Sequence, residues 1–182
     1  MLDQALEALQ LRADHDLDLM RPDQGLSELA AALLSRLPDL LRSEKPDIVV
    51  VQGDTTTSFA AALAAFHERI PVAHVEAGLR TWARTRPFPE EANRTLTAVL
   101  ADLHFAPTEG ARQNLLREGV PKERIRVTGN TVIDALLATV ERLRLDAALR
   151  ARIAEGLPAL RAEAPLVLVT GHRRESFGEG FE

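Results

Sequence analysis

Residues 47–58 read D-I-V-V-V-Q-G-D-T-T-T-S, and residues 70–81 read I-P-V-A-H-V-E-A-G-L-R-T. Each stretch is a short β-branched run that ends in a carboxylate, Asp54 after residues 48–52 and Glu76 at the close of residues 72–76. Runs of this length and composition read as fully buried strands. Residues 55–69, between them, suit a helix whose N-cap is Asp54 or one of the threonines. Strand, crossover helix and strand make a right-handed βαβ unit with parallel strands. If the two strands are neighbours, their C-terminal ends lie about 5 Å apart. Asp54 and Glu76 then meet at the rim where open α/β sheets bind ligands. The free N–H groups that open the intervening helix favour an anion there.

Outward from this unit the alternation continues. Leu2, Leu6 and Leu9 set a helix over residues 1–10, and residues 14–24 form a polar connector. Residues 26–37 make a second amphipathic helix, which Pro38 kinks or ends in favour of a new turn to residue 43. Residues 81–89 form a loop holding Arg84 and Arg86, and residues 90–100 a helix whose Glu90–Arg94 spacing permits an ion pair. Further strands are expected over 102–106, 125–128 and 166–170. Further helices are expected over 109–118, with Gly119 as its C-cap, and over 130–145. The charged, alanine-rich stretch 146–163 is helical around 149–153. Such alternation defines an α/β class with a parallel sheet.

Composition narrows the function. The 182 residues suffice for one domain, or one domain and a piece of another, and 46% hydrophobic content supports a real core. A net charge of -5 argues against nucleic acid as a partner. So does an aromatic content of 4% without tyrosine, which gives no platform for stacking bases. The lack of cysteine excludes a disulfide framework and thiolate metal sites. No long apolar span and no signal peptide is visible, so a cytoplasmic protein without membrane attachment is expected.

Two readings stand for each candidate motif. Gly53–Ser58 (G-D-T-T-T-S) is a helix cap or a set of hydroxyl donors for sugar or phosphate. Glu76 pairs with Arg80 or the backbone, or faces a second carboxylate. Like charges sharing a site resist ionising together, which supplies an acid and a base at one pH. Glu90 and Glu91 complement a helix N-terminus. His74, inside a strand, reads as a satisfied core histidine, while His15, His67 and His104 carry no pattern. G-H-R-R-E-S (171–176) is a solvated charge run or a phosphate-binding segment through His172, Arg173 and Arg174. Gly-Asp and Gly-His after strands also occur in metallophosphoesterases. Here Thr131 stands where a histidine ligand would follow Gly129-Asn130, and no upstream Asp-x-His is present.

Taken together, V-V-Q-G-D-T-T-T (50–57), H-V-E-A-G-L-R-T (74–81), P-F-P-E-E-A-N-R (87–94), T-G-N-T-V-I-D-A-L (128–136) and T-G-H-R-R-E-S-F-G (170–178) closely resemble the non-hydrolysing UDP-N-acetylglucosamine 2-epimerases. The resemblance covers the whole chain but about half of a family member. It implies a GT-B-like fold of two Rossmann-like domains with the active site between them. Residues 1–129 are then the first domain, without its N-terminal strand and G-T-R-P-E motif. Residues 130–182 are linking helices and the first strand of a truncated UDP-binding domain. It implies interconversion of UDP-N-acetylglucosamine and UDP-N-acetylmannosamine through loss and return of UDP, as a step toward cell-surface polysaccharide. Catalytic roles fall to Asp54, Glu76, Glu90 and His172, and substrate contacts to Asp54, Thr55, Glu76, Arg80, His172 and Arg173. No cofactor or metal is implied, the partner is a UDP-sugar, and a homodimer is expected. The alternatives are a related GT-B glycosyltransferase, a UDP-sugar hydrolase, or an inactive fragment of the epimerase.

Overall fold

The computed structural model describes residues 2–157, together with Val167 and Val169. The strand expected over 166–170 and the G-H-R-R-E-S segment, with His172 and Arg173, lie outside the described residues apart from those two valines.

Four parallel strands form one sheet: β1 (Val49–Gln52), β2 (Val72–Val75), β3 (Leu103–Ala106) and β4 (Ile125–Val127), side by side in chain order. The register pairs Val51 with His74 and Gln52 with Val75, then His74 with His104. Helices α3 (Thr56–His67), α4 (Glu90–Leu100) and α5 (Glu109–Arg117) fill the crossovers. The expected α/β class with a parallel sheet is therefore what the chain adopts.

Capping explains where the helices start. Thr55 accepts from the Ser58 N–H at 3.1 Å to open α3, and Thr108 accepts from the Ala111 N–H at 3.1 Å to open α5. The cap of α3 is thus the threonine, which leaves the Asp54 side chain free for other partners. Close packing explains how α3 sits. Ala60, Ala62, Ala64 and Ala65 are all buried, so its backbone approaches the sheet and its neighbouring helices without bulky side chains between.

One expectation changes. The helix α2 (Leu26–Glu44) is unbroken, with Pro38 inside it. Proline forfeits one backbone bond and normally kinks a helix. Here the apolar stripe continues on both sides, with Leu33 and Leu41 buried and Leu34 and Leu37 packed against the core. Burial on each side of the proline outweighs the lost bond.

By packing, the described residues divide into two compact units. One is His15–Asn130, which holds α2, the sheet and its crossover helices. The other holds α1 (Leu2–Leu9), α6 (Thr131–Leu145) and α7 (Ala147–Glu155). The sequence reading assigned residues 1–129 to one domain. By packing, the opening helix groups with the later helices α6 and α7.

Candidate active site

The site starts with a tight turn at the end of β1. Gly53 takes φ +72°, a conformation that glycine adopts without steric cost. Its N–H donates to the Val75 carbonyl at 3.0 Å. Asp54 follows directly, at the C-terminal rim of the sheet. Its carboxylate Oδ2 lies 2.6 Å from Nη2 of Arg94, and its backbone carbonyl accepts from Asn93 Nδ2 at 2.9 Å. Both partners come from α4. That helix is therefore laced to the Asp54 turn by one charged and one neutral bond.

Glu76 leaves β2 at the same rim. Its backbone sits at φ +65°, in the left-handed region. A residue with a Cβ loses about 1–2 kcal/mol there, and such positions concentrate at functional sites. The turn directs the side chain back toward β1, so that Oε2 comes within 3.6 Å of where a Cβ on Gly53 would stand. The two expected carboxylates therefore occupy the ends of neighbouring strands on one rim. Two residues on, Gly78 sits at φ +88°, and a Cβ there would meet the Ala111 carbonyl oxygen of α5 at 2.3 Å. This close approach fixes where the chain after Glu76 can run.

Glu90 opens α4, with Oε2 buried and no hydrogen-bond partner for it among the described residues. The expected Glu90–Arg94 pair is not what forms. Arg94 instead bridges Asp54 and Glu91, with Nε 3.6 Å from Glu91 Oε2. Glu91 is itself buried and accepts the Thr81 N–H at 3.0 Å and the Trp82 N–H at 3.1 Å. It thereby holds the start of the 81–89 loop.

Arg80 takes a different place from the one expected. Its side chain is 1% exposed, and its Nε and Nη2 form a two-pronged pair with Glu118 at 2.7 and 2.6 Å. A third donor, Nη1, goes to the Leu79 carbonyl at 2.7 Å. The guanidinium ties the segment after Glu76 to the end of α5 and does not point its donors at the carboxylates. Thr55 is exposed. Its hydroxyl accepts from Ser58 N–H and donates to Ser58 Oγ at 3.0 Å, since Ser58 gives its own proton to the Gln52 carbonyl at 2.6 Å.

Three neighbours of this rim fall outside the residues expected at the site, although Arg94 is expected to pair with Glu90 and His74 to be a core histidine. Asn93 and Arg94 lie in the same P-F-P-E-E-A-N-R motif as the expected Glu90, so the signal was present. The third is His74, which is 1% exposed and donates from Nε2 to the Gly53 carbonyl at 2.8 Å. Its Nδ1 is buried without a hydrogen-bond partner among the described residues. Burial lowers its pKa, helped by the charges of Arg80 and Arg94 and opposed by the bond to Gly53 and by Asp54. His104, its partner across the strands, is also buried, and burial together with His74 lowers its pKa to about 4.

No helix among the described residues is long and apolar enough to cross a membrane. No group of three or more His, Cys, Asp or Glu residues among them is arranged to hold a metal ion.

A parallel sheet with carboxylates gathered just past its strand ends defines an α/β protein of the kind that takes ligands at that rim. A family model described as UDP-N-acetylglucosamine 2-epimerase matches residues 1–182, and the chain belongs to that family. It is 58% identical over 182 residues to the UDP-N-acetylglucosamine 2-epimerase of Salmonella typhimurium, covering 48% of it. It is 54% identical over the same length to the enzyme of Escherichia coli strain K12, again covering 48%. Among solved structures, UDP-GlcNAc 2-epimerase from Neisseria meningitidis bound to UDP-GlcNAc matches at TM-score 0.93 and 49% identity, over 99% of this chain and 48% of that one. The Methanocaldococcus jannaschii enzyme in complex with UDP-GlcNAc and UDP matches at TM-score 0.76 and 42% identity, over 82% of this chain and 41% of that one. The chain spans about half the length of the curated relatives it matches.

Proposed function

We propose that this chain carries the acidic half of an epimerase active site that interconverts UDP-N-acetylglucosamine and UDP-N-acetylmannosamine. The observation that supports it most is the meeting of Asp54 and Glu76 on one rim, with the first turn of α4, and hence Glu90, laced to it. The chemistry needs such a cluster. The C2 proton of the sugar has no adjacent carbonyl to acidify it, so its removal is coupled to loss of UDP from C1. A carboxylate takes the proton, the C1–O bond breaks, and the electron pair leaves with the diphosphate. The product is 2-acetamidoglucal. UDP then returns to C1 while a second carboxyl group delivers a proton to the opposite face of C2.

In this reading Asp54, Glu76 and Glu90 act at the sugar, and Thr55 lines its approach. His172 and Arg173 attend the diphosphate, where cationic donors favour the departing charge. Arg80 acts from behind, by holding the segment that carries Glu76. Electrons balance without a redox partner, so the step calls for no nicotinamide. Residues up to 129 then contribute to the first domain of a two-domain, GT-B-like arrangement, and later residues to the UDP-binding one. A cytoplasmic homodimer that feeds cell-surface polysaccharide synthesis fits this chemistry.

The test is epimerisation in deuterated water. Label at C2 of both sugars is the expected outcome, and full epimerisation with none at C2 overturns the elimination. The half-length coverage favours a second reading, in which these residues fold without turnover. A UDP titration on the 182-residue chain separates the two. Tight binding contradicts the inactive reading.

A further inference from the structure

We propose that His74 is a positioning residue for the reacting carboxylates: its Nε2–H holds the Gly53 carbonyl, and so sets Asp54 against Glu76 across two strands. The inference deepens the epimerase reading and rests on it for which carboxylates react.

Three peptide units meet at this turn. The unit before Gly53 is held through its N–H, which donates to Val75 at 3.0 Å. The unit between Gly53 and Asp54 is held by His74 at 2.8 Å. The unit after Asp54 is held by Asn93 at 2.9 Å. Both peptide planes that flank the Asp54 Cα are thus held by buried side chains, which restrains its φ and ψ. Arg94 then fixes the carboxylate itself at 2.6 Å. Of the side-chain anchors, His74 alone belongs to the strand that delivers Glu76, two residues further on, and it adds to the backbone bond that Val75 of the same strand accepts from Gly53. It therefore couples the two carboxylates, whereas Asn93 and Arg94 couple Asp54 to α4.

Packing alone does not call for histidine here. The strand runs Val72, Ala73, His74, Val75, and position 74 is 1% exposed. An apolar residue would fill it without removing a polar ring from water. Histidine leaves Nδ1 buried and unpartnered among the described residues, and the bond to Gly53 is its return. Neutral imidazole suits the task, since Nε2 then carries the proton that the carbonyl accepts. Support of this kind, one layer behind the reacting groups, is what holds a site within the fraction of an ångström that chemistry needs.

The experiment uses the full chain with His74→Phe, which keeps a ring and removes the donor, and His74→Gln, which restores an N–H at similar reach. His74→Met serves as a second donor-free variant should the phenylalanine not fold. The donor-free variants are expected to lose about 10- to 100-fold in kcat, the scale of a small misplacement. KM for UDP-N-acetylglucosamine stays near its original value, and His74→Gln recovers most of the rate. Unchanged kcat in a donor-free variant overturns the proposal, as does equal impairment of the glutamine and donor-free variants. The backbone amide NMR resonances of Asp54 and Glu76 give a readout that needs no turnover. They should both move in the donor-free variants and return in His74→Gln, and resonances that do not move overturn the proposal. Should the unsubstituted chain show no C2 exchange, the epimerase reading fails, and the resonances judge His74 by themselves.

Discussion

Two arginines divide the work around the carboxylates. Arg94 reaches Asp54 directly at 2.6 Å, while Arg80 is locked to Glu118 on α5. The arrangement predicts opposite phenotypes. Arg80→Met strands a carboxylate, and breaking a fully buried pair costs about 3–5 kcal/mol. Since Glu118 keeps 23% of its side-chain exposure, water screens part of that loss, and about 1–3 kcal/mol is expected. A lowered urea midpoint with unchanged KM is the expected result. A raised KM at full stability would return Arg80 to the substrate. The sequence made Asp54 and Glu76 visible because carboxylates after β-branched runs stand out. It hid the partner of Arg94, because residues 90 and 91 lie at equally usable helical spacings from it. The charge that completes the bridge is Asp54, far away in the chain.

Pairing of elements creates what no single element shows. His74 and His104 face each other only because β2 and β3 align in that register. Burial lowers both, His104 to about 4. The unfolded chain, with histidine near 6.5, therefore holds more protons than the folded one between those values. This contribution is fully present above about pH 6.5 and falls as pH drops, for His104 by up to about 1.4 kcal/mol per pH unit down to about 4, with His74 acting in the same direction. Urea midpoints taken from pH 7.5 to 5 should show this slope, and His104→Phe should flatten it. An unchanged slope in that variant would place the proton uptake elsewhere. The strands and most helices were legible from β-branched runs and caps. The unbroken α2 was not, because local preference at Pro38 argues for a break and only tertiary burial of Leu33 and Leu41 overrides it. Register was equally hidden, since a strand's sequence does not name the residue opposite.

At the scale of the molecule, the division near residue 130 separates a sheet-bearing unit from a helical one. A boundary near residue 129 was legible only through the family resemblance. The placement of α1 with the later helices was not, for an amphipathic stripe says that a face is covered without saying by what. The left-handed backbone of Glu76 bears on the molecule as a whole. Asparagine tolerates that conformation better than glutamate does. Glu76→Asn should therefore yield a protein about 0.5–1 kcal/mol harder to unfold and unable to exchange the sugar proton, as urea melts and the deuterium assay would report. A softer melt would mean that the acid also braces the rim. Natural drift toward sturdiness would then erase the proposed chemistry first, so the awkward glutamate marks where usefulness has been kept against comfort.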